Sequence, residues 1–167
     1  MKILIWVQEA TWPACIDAVR SRPAGDSITL VHARDSHEEV PRGLMDGLMG
    51  RGYGRRPADR LAAVSDEAAQ DVLERAASRL GRPCERLSLT GRPERLITEQ
   101  AATADLLVLA RDGDRSRLGP QSLGKHTRFV VDHAPCPVLL LWPESSPSLE
   151  SIPPPPPPGH EPPEPRP

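Results

Sequence analysis

Lysine and cysteine are scarce in this chain of 167 residues, and each shortage excludes a class of protein. Only Lys2 and Lys125 are lysines and the net charge is -2, so the chain lacks the clustered basic excess typical of nucleic-acid-binding proteins. The three cysteines, Cys15, Cys84 and Cys136, form no Cys-x-x-Cys pair. Their spacing therefore predicts neither a zinc site nor a disulfide framework.

Long apolar runs are also missing. No stretch approaches the roughly 20 apolar residues that a membrane-spanning helix needs. The first apolar run, in "MKILIWVQEA", stops at Glu9 and is followed by nothing that resembles a cleavage site, so it does not predict a signal peptide. We expect a soluble, cytoplasmic protein without a membrane partner.

Known catalytic patterns are absent as well. The five histidines show no metal-like pairing one helical turn apart, and the chain has no Gly-x-Ser-x-Gly motif. The residues therefore predict no catalytic set and no metal site, and we expect a protein that is not an enzyme.

What the chain does contain is an alternation of apolar runs and helical patterns. Runs that lack polar residues on either face are typical of strands buried in a parallel sheet. Four of the five runs, 2–8, 27–33, 105–110 and 137–142, are nearly continuous in apolar character. The fifth, 84–90, alternates Leu87 and Leu89 with polar residues, which predicts a half-exposed edge strand. Apolar stripes at helical spacing lie between them, with predicted helices at 12–21, 61–80, from Pro93 and at 123–134. This alternation predicts the α/β class, with a parallel sheet and helices on both faces.

The composition also predicts the domain boundaries. Residues 1–142 carry the apolar pattern of a single domain. The segment 35–59, with its five glycines, interrupts the alternation and is typical of a variable loop or a lid. Residues 143–167, which include six consecutive prolines, predict a disordered proline-rich tail. A polyproline rod that docks on a partner is the alternative for this tail.

The stretch "RDGDRSRLGPQSLGKHTRF" follows the fourth predicted strand and enters a helix. Ligands of open parallel sheets bind beyond the carboxyl ends of the strands. Glycine N–H groups and a helix N-terminus at that edge are a common phosphate site. The arginines and glycines of this stretch make it the first candidate for binding ATP or another anion.

Three stretches resemble the universal stress protein family. They are "KILIWV", "GRPERLITEQAATADLLVLARDG" and "LGKHTRFVVDHAPCPVLLLWP", in which "HAPCPVLLL" is the most distinctive part. The resemblance implies a five-stranded sheet of order 3-2-1-4-5, the adenine nucleotide alpha hydrolase-like fold. It also implies a homodimer through the last strand, formed by Val138, Leu139, Leu140, Leu141 and Trp142.

ATP-binding members of that family carry the motif Gly-x2-Gly-x9-Gly-Ser/Thr. If Gly124 is its third glycine, the first two fall on Arg111 and Asp114, and the hydroxyl position falls on Lys125. The family's acidic residue after the first strand falls on Gln8. The candidate nucleotide-binding residues that the resemblance implies are Val7, Gln8, Glu9, Ala33, Arg111, Gly113, Gly124 and Lys125.

The sequence leaves three functions open. The first is a non-enzymatic stress protein, a cytoplasmic dimer acting in stress adaptation, whose nucleotide-binding loop is degenerate. The second is an ATP-binding switch whose loop becomes ordered with the nucleotide. The third, an adenylyl or phosphoryl transferase, lacks every catalytic pattern considered above.

Overall fold

Within the described residues, the five apolar runs form five strands and the helical stripes between them form four α-helices. The computed structural model describes residues 1–35 and 57–154, with side chains from residue 64 onward in the second range. The elements are β1 (Lys2–Trp6), α1 (Trp12–Arg20), β2 (Ser27–Asp35), α2 (Pro57–Leu80), β3 (Glu85–Gly91), α3 (Pro93–Ala101), β4 (Leu106–Ala110), α4 (Lys125–His133) and β5 (Val138–Leu141). The predicted α/β alternation is confirmed.

All neighbouring strands in the sheet are parallel, and their order is β3-β2-β1-β4-β5. This confirms the order 3-2-1-4-5. The central strand β1 lies between β2 and β4, with Ile5 opposite Leu30 on one side and opposite Val108 on the other. A strand in that position is covered on both faces, which explains its uninterrupted apolar sequence.

The alternating side chains of β1 divide the core in two. Ile3 and Ile5 are buried among the side chains of α1 and α2, whereas Leu4 and Trp6 pack with those of α3 and α4. Cys15 of α1 is fully buried, and burial raises the pKa of its thiol to about 12. A thiol in this state is a small apolar core group.

The structure extends beyond the predicted domain boundary at Trp142. A 3-10 turn spans Leu149–Ser151, and the Ser151 hydroxyl accepts a hydrogen bond of 3.0 Å from the backbone N–H of Leu118. The first part of the predicted tail therefore contacts the loop that follows β4. Residues 155–167 and most of the predicted lid, residues 36–56, lie outside the described residues.

Candidate ligand site at the carboxyl edge of the sheet

The carboxyl ends of β1 and β2 border a cavity of about 380 Å³. Its lining includes four residues predicted for the site: Val7, Gln8, Glu9 and Ala33. His126, from the first turn of α4, closes another side. Because parallel strands end at the same edge, residues far apart in sequence meet here.

The floor of the cavity is fixed by backbone contacts. The Val7 N–H donates to the Val31 carbonyl at 2.8 Å, and His32 Nδ1 lies 2.7 Å from the Val7 carbonyl oxygen. A carbonyl oxygen only accepts, so Nδ1 carries the proton in this contact. The Gln8 carbonyl accepts from the N–H groups of Thr11 and Trp12. These bonds hold the turn from β1 into α1. The Gln8 side chain is held separately, by hydrogen bonds from its Nε2 to Asp112 and Thr127.

Asp112, two residues after the end of β4, accepts three hydrogen bonds beside the cavity. The Gly124 N–H donates to its Oδ1 at 2.8 Å, and the Thr127 hydroxyl donates to its Oδ2 at 2.8 Å. Gln8 Nε2 donates to the same Oδ2 at 3.1 Å. Donors from the end of β1, the start of α4 and its first turn therefore converge on one carboxylate.

This carboxylate lies where an anionic ligand would bind. The first N–H groups of a helix have no partner within the helix, and the helix dipole favours negative charge there. At α4 the anion is the side chain of Asp112. A Cβ on Gly124 would lie 2.9 Å from both carboxylate oxygens of Asp112. Gly124 thus permits the close approach of a carboxylate from its own chain.

The loop of residues 111–124, the β4–α4 loop, is bonded to itself. The Gly113 N–H donates to the Ser122 carbonyl at 2.9 Å, and the Asp114 N–H donates to the Gln121 carbonyl at 2.8 Å. The Asp114 carboxylate accepts from the Ser116 hydroxyl and backbone N–H and from Arg117. These bonds hold the pKa of Asp114 below its usual value. The loop is therefore held by hydrogen bonds between its own residues.

The hydrogen bonds and the ring contact of Arg111 are directed away from the cavity, towards β5 and the β4–α4 loop. Its backbone N–H donates to the Leu141 carbonyl at 2.9 Å, its side chain donates to the buried Ser122 hydroxyl, and its guanidinium lies 4.7 Å from the centre of the Trp142 ring. Arg111 thus joins the β4–α4 loop to the end of β5. Lys125, at the first position of α4, is exposed.

A histidine between carboxylates stands at the cavity rim. His126 Nδ1 lies 2.7 Å from Glu94 Oε2, and His126 Nε2 lies 4.0 Å from Asp35 Oδ2. Burial opposes ionisation of Glu94, but its own backbone N–H, His126 and Arg92 outweigh that effect and hold its pKa below the usual value. Glu94 is therefore ionised and fixes the His126 ring at the rim.

Comparison with known proteins decides the family. The model of the universal stress protein family matches residues 10–141. A universal stress protein of Thermus aquaticus is 32% identical over 131 residues, which are 77% of this chain and 86% of that protein. The chain belongs to the universal stress protein family.

Solved structures share the fold of this universal stress protein. A protein solved as a test case of structural genomics matches with a TM-score of 0.65 and 19% identity, covering 87% of this chain and 97% of its own. A universal stress protein in complex with cAMP matches at 0.58 and 16%, covering 86% and 98%. An Arabidopsis thaliana member with AMP bound matches at 0.51 and 20%, covering 92% and 95%.

The described ranges of this stress protein hold neither a membrane-spanning helix nor a metal-binding cluster. No helix within residues 1–35 and 57–154 is long and apolar enough to cross a membrane. Across the same residues, no group of three or more His, Cys, Asp or Glu side chains is placed to hold a metal ion.

Sequence reasoning missed the two side chains that organise the site. Asp112 and Thr127 were not among the predicted site residues, although Asp112 directly follows Arg111, which was. Its position in the sequence could have identified Asp112 as a site residue, because it follows β4, whose carboxyl end neighbours that of β1. Of the predicted residues, Gly124 and Gln8 contact Asp112, while Gly113 lies within the self-bonded loop.

Proposed function

We propose that this universal stress protein acts in stress adaptation by binding and not by catalysis, as a cytoplasmic dimer whose β4–α4 loop no longer accepts nucleotide phosphate. The observation that carries the proposal is the Asp112 carboxylate at the N-terminus of α4. It supports the degenerate motif read from the sequence, in which Arg111 and Asp114 replace glycines.

Charge and geometry both oppose a phosphate at this position. A phosphate would compete with Asp112 for the Gly124 N–H, the Thr127 hydroxyl and the Gln8 amide. Two like charges at about 4 Å repel by about 1 kcal/mol in water and about 4 kcal/mol near a protein surface. One side of Asp112 is exposed, so we expect a value within this interval.

Related structures hold AMP and cAMP, whose common part is adenosine. The present protein has a cavity at the ends of β1 and β2, and the Asp112 carboxylate lies beside it at the N-terminus of α4. This supports a loss of affinity for nucleotides without a loss of the cavity itself.

Nucleotide release from the purified protein tests the proposal. The protein is denatured and the supernatant is assayed for adenine nucleotides. We expect none above the level of a blank, because the phosphate donors are occupied by Asp112. Stoichiometric release of ATP would instead support the switch, in which a nucleotide orders the loop.

The proposed dimer rests on the side of β5 that pairs with no other strand among the described residues. Leu107 N–H donates to the Pro137 carbonyl and Arg111 N–H donates to the Leu141 carbonyl. Backbone groups alternate along a strand, so those of Val138 and Leu140 point away from β4. The side chains of β5 are apolar and only half-buried, and an apolar edge of this kind favours pairing with a second copy.

Leu140→Pro is expected to convert the dimer to a monomer. Proline removes an N–H that points away from β4, and so it weakens pairing between chains while sparing the β4–β5 hydrogen bonds. Light scattering coupled to gel filtration measures the mass, with Leu140→Val as the control that keeps the N–H. A proline variant that stays dimeric would place the interface elsewhere.

A further inference from the structure

We infer that residues 142–151, which we call the C-terminal strap, control the opening of the β4–α4 loop. The inference goes beyond the proposed function, because it concerns how the loop is held and not what it binds. It assigns a role to the first part of a segment whose composition predicts only a disordered tail.

The strap contacts the loop at both of its ends. At its start, the centre of the Trp142 ring lies 4.7 Å from the guanidinium carbon of Arg111. At its end, the Ser151 hydroxyl oxygen accepts a hydrogen bond of 3.0 Å from the backbone N–H of Leu118. The first residue of the loop and its outer stretch are therefore joined to the same segment.

The local structure of the strap positions the Ser151 hydroxyl. Leu149–Ser151 form a 3-10 turn, and the Ser151 N–H donates to the Ser148 carbonyl at 3.0 Å. The Ser151 hydroxyl donates to the same carbonyl at 2.6 Å. Because its proton is directed at Ser148, the hydroxyl oxygen offers its lone pairs to the Leu118 N–H. Ser151 thus links the turn of the strap to the loop.

Both contacts act on the hydrogen bonds that close the loop. Arg111 donates to the Ser122 hydroxyl, and the Ser122 carbonyl accepts from the Gly113 N–H. This bond and the neighbouring one from the Asp114 N–H enclose residues 115–120, among which Leu118 lies. Opening the loop would move this stretch away from the strap, so the strap opposes opening.

The strap is held without burying its large apolar side chain. Leu149 is 77% exposed, and Ile152, which directly follows the strap, is 54% exposed. Burial of large apolar side chains makes a packed segment costly to release. Since these side chains face solvent, the strap is able to detach while the core of the domain stays folded.

Amide hydrogen exchange of the full chain tests the inference, with Ser151→Ala as the variant. The substitution removes the acceptor of the Leu118 N–H, and the loss of one neutral hydrogen bond shifts an opening equilibrium by about fivefold. We therefore expect the exchange of the Gly113 and Asp114 N–H groups to accelerate about fivefold, although neither group contacts Ser151. The Val7 N–H, which donates to Val31 within the sheet, should exchange at its natural rate.

Trypsin gives a second measurement, because Arg117 is exposed in the loop. Proteolysis follows the population of the opened state when opening is fast relative to cleavage, so cleavage after Arg117 should also accelerate about fivefold in Ser151→Ala. The control for both measurements is Ser145→Ala, at an exposed position of the same strap. This variant should match the natural protein.

Two results would overturn the inference. An acceleration confined to the Leu118 N–H would show that Ser151 covers this one group and does not control the loop. An equal acceleration at the Val7 N–H would show that the substitution destabilises the whole domain. Either result would leave the proposed function standing, since that function does not depend on the strap.

Discussion

Gly113→Ala is expected to lower the free energy of unfolding by about 3 kcal/mol, as overpacking at a rigid position does. A Cβ at this position would lie 2.3 Å from the Gln121 carbonyl oxygen and 2.9 Å from the carbonyl carbons of Ser122 and Leu123. All three are backbone atoms, so no side-chain rotation relieves the overlap. The pair of backbone hydrogen bonds that closes the β4–α4 loop would have to break.

Urea denaturation measures this loss, and Gly25→Ala is the matched control. A Cβ on Gly25 would meet nothing within 4 Å, so we expect its free energy of unfolding to change by less than about 0.5 kcal/mol. If the two variants were equally stable, the loop would be able to open at little cost. The closed conformation would then not define the site.

Asp112→Ala is expected to create an anion site that the natural protein lacks. The substitution leaves the Gly124 N–H, the Thr127 hydroxyl and the Gln8 amide without their common acceptor. Three donors at a helix N-terminus favour an oxyanion. In phosphate at tenfold its dissociation constant, the variant would gain about 1.4 kcal/mol of stability, seen as a rise of several degrees in Tm.

The readout is the change in Tm between chloride and phosphate buffers of equal ionic strength. The control is Asp114→Ala. It removes a carboxylate from the same loop, but that carboxylate bonds Ser116 and Arg117 and not α4, so the Tm of this variant should respond to phosphate no more than that of the natural protein. An equal response of all three proteins would show that phosphate acts elsewhere. The Asp112 carboxylate would then have no special role at α4.

The sequence predicts the architecture well because the strands are buried on both faces. An apolar run such as 105–110 is readily assigned to a strand, because the helices of this chain are separately marked by Pro93 and by stripes at helical spacing. The half-exposed alternation of 84–90 predicts an edge strand, and β3 lies at the edge of the sheet opposite β5. These are local patterns, and local patterns are what a sequence displays.

The site was predicted less completely, since its decisive contacts join distant residues. Asp112 and Gln8 are 104 positions apart, and nothing near either residue reveals their hydrogen bond. Arg111 was predicted to face a phosphate because of its charge, yet the ring of Trp142 lies beside it and the side chain contacts that ring. The contact between Ser151 and Leu118 was missed because the segment after Trp142 has the composition of a tail.

The most direct test is the distance between Gly124 N and Asp112 Oδ1 in a crystal of the natural protein grown with saturating ATP. The structure predicts that this distance stays near 2.8 Å and that no phosphate lies at the first turn of α4. A phosphate bonded to the Gly124 N–H, with the Asp112 side chain rotated away, would contradict the account.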